Sequence, residues 1–265
     1  SQNINDALFV NFQYIIKINQ KNMKFSLKTI IIISFLFSSS AFGETKDCFE
    51  KVNRAVFSFN EGLDSLVFKP IAKGYSYLPS PIQAGIRNVT SNISYTVTIP
   101  NHLLQGNLGN FVHDGGRFLV NTTFGILGIF DPASRIGLGK LEHEDYGQTL
   151  GAWGVGPGCY VMLPIFGPST TRDAVGKVAN TLLDPFYMVT VGDSSVLNNN
   201  FGDSTYYIEK GFDTVDFRSQ NLKSFDSLKQ GSVDLYASIR SLYLQRRENL
   251  ISNNSNSKDE WKDFK

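Results

Sequence analysis

Three stretches of this chain carry no Asp, Glu, Lys or Arg: residues 88–112, 118–130 and 146–171. The third holds Gly147, Gly151, Gly154, Gly156, Gly158 and Gly167 together with Pro157, Pro164 and Pro168. A segment so rich in Gly and Pro cannot satisfy its own backbone in lipid, so none of it reads as a spanning helix. It must be covered by protein, line a cavity or sit at an interface. Charged residues make up only 18% of the chain, against about a quarter in soluble domains. The net charge is +1, too little to draw the chain to nucleic acid. No repeat at solenoid spacing is present.

Residues 23–43 have the order of an export signal. Lys24 and Lys28 flank its start, an apolar run from Ile30 to Phe37 follows, and Ala41-Phe42-Gly43 is a small–x–small site with cleavage expected after Gly43. The run falls short of the ~20 residues that span a bilayer. An uncleaved interfacial helix is the alternative. Residues 1–22 precede this signal, begin with Ser, and read as an extension from a start placed too far upstream. The expected organisation is therefore extension 1–22, signal peptide 23–43, one domain over 44–250 and a polar, disordered tail over 251–265.

Cys48 and Cys159 are the two cysteines. In an oxidising envelope they can pair or stay as isolated thiols; spacing alone does not decide. Cys48 does not read as a lipidation site, because the charged Lys46 and Asp47 precede it.

Periodicity predicts a mainly α domain with Gly/Pro-rich connections. Val52, Ala55, Val56, Phe59, Leu63, Leu66 and Val67 mark an amphipathic helix over 50–68, stopped by Pro70. Ser80-Pro81 opens a second, and further helices are expected at 99–107, 109–123, 169–183 and 222–249. Asp131-Pro132 reads as a turn or helix start. Two short strands are expected, Tyr95 to Ile99 and Cys159 to Leu163.

Catalytic and metal-binding patterns are missing from the sequence. His143 lies in Glu142-His143-Glu144-Asp145, where adjacent residues do not share a helix face, so a solvated turn is expected rather than a metal site. There is no HExxH, no nucleophile elbow and no Walker motif. Gly154-Val155-Gly156-Pro157-Gly158 lacks the Lys-Ser/Thr of a phosphate loop, and Pro157 removes an amide donor. The expectation is a protein that is not an enzyme and uses no cofactor or metal.

Several blocks resemble one family in colinear order from about 47 to 250. They are Val52-Asn53-Arg54-Ala55-Val56-Phe57-Ser58-Phe59-Asn60, Arg117-Phe118-Leu119-Val120-Asn121-Thr122-Thr123-Phe124-Gly125 and Phe130-Asp131-Pro132-Ala133-Ser134. Glu144 to Gly156, Leu163 to Ser169 and Tyr243-Leu244-Gln245-Arg246-Arg247 complete the set. Together they resemble the MlaA family, also called VacJ.

The resemblance implies a component at the periplasmic face of a Gram-negative outer membrane. It implies a ring-like helical domain embedded in the inner leaflet, with an amphipathic central channel, beside trimeric porins. Such a channel removes misplaced phospholipid from the outer leaflet and passes it to a periplasmic lipid-carrier protein. An envelope scaffold at porins and an envelope lipid hydrolase are the alternative readings. Asn121, Asp131, Arg135, Gln148, Arg172 and Asp173 are expected to shape or line the channel, the alternative being that they cap helices and close turns. Family members usually carry a lipidated cysteine at the mature N-terminus. Here Cys48 and Cys159 stand where the family commonly has proline, which leaves the ring itself to hold the protein in the membrane.

Overall fold

The computed structural model describes residues 45–191 and 204–252. The expected extension, the expected signal with its cleavage site and most of the expected C-terminal tail lie outside these residues. Helices dominate. The first, α1 (Glu50–Leu63), passes through a π-helical turn (Asp64–Phe68) directly into α2 (Lys69–Ser76). Pro70 therefore does not end the helix. The wide turn resets the hydrogen-bond register, and Pro70 falls in the first turn of α2, where its missing N–H has no partner to lose.

α3 (Ser80–Leu104) is one helix of 25 residues. The strand expected at Tyr95–Ile99 is absent, and so is any break before 99. The alternation Tyr-Thr-Val-Thr-Ile imitates a strand over five residues. What governs the segment is an inward stripe of Tyr95, Thr98, Asn101 and His102 at helical spacing. α4 (Leu108–Thr123) folds back on α3, started by Asn107, whose side chain accepts from Asn110 N–H.

A turn over 124–130 leads to the short α5 (Pro132–Arg135), and an extended stretch leads to α6 (Tyr146–Ala152). The strand expected at Cys159–Leu163 is present as β1 (Tyr160–Leu163). It pairs antiparallel with β2 (Gly167–Thr170), Tyr160 opposite Thr170. α7 (Thr171–Leu182) is capped by Thr170, and Asp184 caps α8 (Pro185–Thr190). α9 (Ser204–Gln220) follows. The expected helix over 222–249 is two helices, α10 (Leu222–Gly231) and α11 (Leu235–Ile251). Asp234 caps α11 by accepting from Ala237 N–H.

α1 is amphipathic as expected, but its polar stripe is the one that turns inward. Asn53 is buried; its amide donates to Tyr160 O and accepts from Met162 N–H. Two turns on, Asn60 donates to Leu163 O and accepts from Ile165 N–H. These two asparagines substitute for a third strand along β1, while Val52 and Phe59 face outward.

The same inversion holds throughout. Among the described residues, fully buried polar and charged side chains outnumber fully buried apolar ones by more than two to one. The one apolar core cluster is small: Tyr160, Met162 and Tyr236, with Val56, Phe57, Tyr243 and Leu244 packed on it. Leu66, Leu119, Phe124, Leu127 and Phe166 are each more than 60% exposed. Cys48 and Cys159 form a disulfide with Cα atoms 5.6 Å apart, a spacing natural to the bond. Beside it Tyr160 N–H donates to Lys46 O.

Candidate functional site

Two buried arginine–carboxylate networks organise the polar interior. The first is centred on Arg117 of α4, which is almost fully buried. Its Nε donates to Tyr95 Oη at 2.8 Å, and its Nη2 donates to both Asp131 carboxylate oxygens at 3.0 Å. Its Nη1 donates to Ser134 Oγ and Leu138 O. Asn121 donates to Asp131 and accepts from Ala133 N–H. Asp131 also caps α5, accepting from Ser134 N–H. Burial works to raise the Asp131 pKa. Hydrogen bonds from Ser134, Asn121 and Arg117 outweigh it and hold the carboxyl at about 2.

This network fixes the 124–130 turn. Leu127 N–H and Gly128 N–H donate to Thr122 O and Asn121 O. Ile126 and Leu127 both adopt positive φ, 54° and 55°, a conformation a β-branched residue rarely takes unless held. Gly128, at φ +92°, has no room for a side chain: a Cβ there would lie 2.6 Å from Asn92 Cβ. Phe124, Ile126 and Leu127 are thereby displayed outward as one charge-free apolar tip.

The second network joins three helices. Arg247 of α11 donates to both Asp145 oxygens, at 2.7 and 3.0 Å, and to both Asp173 oxygens, at 3.1 and 3.0 Å. Asp173 also accepts from Tyr243 Oη at 2.6 Å and from Arg172 Nε at 3.0 Å. Burial pushes its pKa up, but the Arg247 and Arg172 guanidiniums hold the carboxyl at about 2. Gln148 donates to His143 O and Asp145, and Arg172 Nη1 donates to Val155 O. The α6–α7 crossing is built on glycine. A Cβ on Gly176 would strike the Gly147 backbone, and one on Gly147 would meet Arg247 and Asp173.

Of the six residues expected at a channel, Asn121 and Asp131 meet in the first network, and Gln148, Arg172 and Asp173 in the second. Arg135 joins neither: it is exposed and makes no ion pair among the described residues. All five of the joined residues are wholly or largely buried. Arg117 and Arg247 escaped sequence reasoning. Arg247 clamps two carboxylates.

Residues 142–145 are also more than a solvated turn, because Glu144 is buried, accepting from Gln105 at 2.8 Å. The His143 ring keeps accessible surface and lies beside α3, its ring 5.2 Å from that of Tyr95. Its Nε2 and Nδ1 sit 3.1 and 3.0 Å from Ser91 Oγ and Thr98 Oγ1. Hydroxyls serve a neutral imidazole well, one as donor and one as acceptor. Burial draws the His143 pKa down, against a pull upward from Asp114 and Asp213. Lys140 lies close by, bonded to Asn88. No group of three or more metal-ligating side chains is assembled among the described residues.

No described helix is long and apolar enough to cross a membrane. The class defined by these features is a mainly helical domain with a polar, ion-paired interior and an apolar exterior. The chain belongs to the MlaA lipoprotein family, whose model matches residues 45–250. It is 33% identical to the intermembrane phospholipid transport system lipoprotein MlaA of Escherichia coli, over 84% of this chain and 85% of that one. It is 36% identical to an uncharacterised protein of Rickettsia prowazekii, over 77% of this chain and 78% of the relative. A solved structure, described as the structural basis for maintenance of bacterial outer membrane lipid asymmetry, superposes with a TM-score of 0.66 at 31% identity. That match covers 78% of this chain and 99% of the other.

Proposed function

We propose that this chain sits in the outer membrane from the periplasmic side and passes phospholipid out of it without bond chemistry, handing it to a periplasmic carrier beside a trimeric porin. The inversion of polarity is the observation that carries this reading. An exterior of exposed Leu, Ile and Phe side chains is costly in water and favourable against acyl chains. A polar interior is costly against hydrocarbon and suits a lipid head group.

Moving two ~16-carbon tails into water costs on the order of 25 kcal/mol, at ~0.8 kcal/mol per CH₂. A passage that keeps tails in apolar surroundings and head groups among polar ones lowers that barrier. Asn121, Asp131, Gln148, Arg172 and Asp173 act by fixing the wall, since their polar atoms are largely engaged with protein. The accessible side chains of His143 and Lys140 supply polar surface. Membership of the family, and the transport system named for the Escherichia coli relative, support the same role.

The test is a Gram-negative strain lacking its own family member, in which phospholipid builds up in the outer leaflet. Expression of this chain should return outer-leaflet phospholipid to the wild-type level. A chain that reaches the outer membrane and leaves that level unchanged, or releases lysophospholipid, refutes the proposal.

A further inference from the structure

The extended stretch between α5 and α6 is tied to α3 by side chains. Lys140 Nζ donates to Asn88 Oδ1 at 3.1 Å, and His143 meets Ser91 and Thr98. From Gly139 to Glu144 no backbone N–H reaches a protein acceptor among the described residues. The approach to the stretch is open: a Cβ on Gly137 or Gly139 would meet nothing within 4 Å.

Lys140 carries the unspent charge of this region. Its ammonium has three donors, and Asn88 takes one. Asp131 Oδ2 lies 3.9 Å away, too far for a hydrogen bond. Both Asp131 oxygens are already occupied by donors from Arg117, Asn121 and Ser134. Asp216, the other carboxylate acting on Lys140, is taken up by Arg87, Tyr75 and Gln220. Two residues along the stretch, Glu142 pairs with Arg246. The groups that act most strongly around the ammonium are therefore three cations, Lys140, Arg87 and Arg117, against two carboxylates, Asp131 and Asp216. Burial pushes the Lys140 pKa down, and Asp131 restores it only in part. The side chain is still 43% exposed, so a ligand can reach it.

A half-buried cation short of counter-charge favours an anion that brings several acceptor oxygens. The unpaired N–H groups of the same stretch are further donors for such an anion. A phosphate group has the charge and the oxygens to use both, and every phospholipid carries one.

We infer that Lys140 receives the phosphate of the phospholipid head group and selects lipids by it. This rests on the phospholipid role proposed above and adds a phosphate contact to it.

Full-length protein in neutral detergent is offered phosphatidylglycerol and monogalactosyl diacylglycerol with identical acyl chains, the second having a polar head without phosphate. Bound lipid is read by native mass spectrometry. The wild type should retain phosphatidylglycerol about tenfold more than the galactolipid, the scale of one charge-assisted hydrogen bond. Lys140→Gln, which removes the charge, should bring the two within about twofold. Lys140→Arg should keep most of the preference. Lys73→Gln removes another exposed lysine, on α2, and should leave the preference as it is. Equal retention by the wild type, a preference that survives in Lys140→Gln, or one lost equally in Lys73→Gln overturns the inference and leaves the transport role standing. Inorganic phosphate that raises Tm through Lys140 while the two lipids bind alike overturns it too, and assigns the residue to a free anion. Folded protein that binds neither lipid in any form overturns both.

Discussion

Replacing Arg247 by Met should unfold this protein some 10 °C earlier. The guanidinium is 12% exposed and contacts two carboxylates, Asp145 and Asp173, the latter only 2% exposed. Met keeps the apolar stem and removes every donor. Asp173 retains Arg172 and Tyr243 as partners, but Asp145 keeps only Gln148, and the two carboxylates then face each other without a cation between them. Breaking a buried pair by removing one partner costs about 3–5 kcal/mol. In a domain of this size each kcal/mol shifts Tm by about 2–4 °C, so the fall is on the order of 10 °C by circular dichroism in detergent.

The pH dependence follows with a definite sign. The folded Asp173 carboxyl titrates at about 2, below its unfolded value near ~3.9. Its contribution is therefore complete above pH ~4 and fades as pH falls toward 2. In Arg247→Met that depression shrinks, so the stability lost between pH ~4 and 2 should be smaller than in the wild type. Adding Asp145→Asn and Asp173→Asn removes the stranded charges and should recover most of the lost Tm. If Arg247→Met melts within about 2 °C of the wild type, or the triple variant melts lower still, the network is not what ties α6, α7 and α11 together.

Three further expectations follow. Cys48→Ser opens a link between residues 111 apart in sequence and should cost about 2–5 kcal/mol; the wild type should show the same loss on reduction and take up no palmitate at Cys48, each readable by thermal melts and metabolic labelling. Ile126→Lys with Leu127→Lys alters two side chains already 60% and 70% exposed, so folding should hold while membrane retention in a flotation assay falls, each charge costing about 2.5–3.5 kcal/mol at hydrocarbon depth. His143 has its pKa drawn down by burial, so the unfolded chain takes up a proton more readily; stability should decline as pH drops below the ordinary histidine value near ~6.5, and His143→Gln should flatten that slope in pH-dependent melts.

Much of the helical order was legible in the sequence, and the direction of its faces was not. α4 and α7 lie close to where apolar spacing and caps place them, with Thr170 and Asp131 serving as caps. β1 falls on the strand expected from Cys159 to Leu163. Pro70 misled because a π-helical turn absorbs it, and Tyr95–Ile99 misled because five residues cannot separate a period of 2 from one of 3.6. The gap between α10 and α11 is set by Asp234 capping a new helix, a signal readable only once the chain is known to stop at Ser232. Periodicity reports that a helix has two faces and leaves open which one meets solvent. For Asn53, Asn60, Arg117 and Arg247 the inward face is the polar one. Their partners along β1 are 103 or more residues away for the asparagines, and the carboxylates are 74 or more away for Arg247, distances no local pattern encodes. Gly147 and Gly176 permit backbone contact between α6 and α7.

The most direct test of the proposed role follows phospholipid itself. Vesicles holding this chain and a labelled phospholipid are mixed with a soluble periplasmic lipid carrier from the same envelope, and label on the carrier is measured over time. Transfer should be faster with the chain than with empty vesicles, and slower again when bulky side chains replace the polar ones around His143 in protein that still folds. Vesicles that hold folded protein, bind the carrier and move label no faster than empty ones would contradict the account.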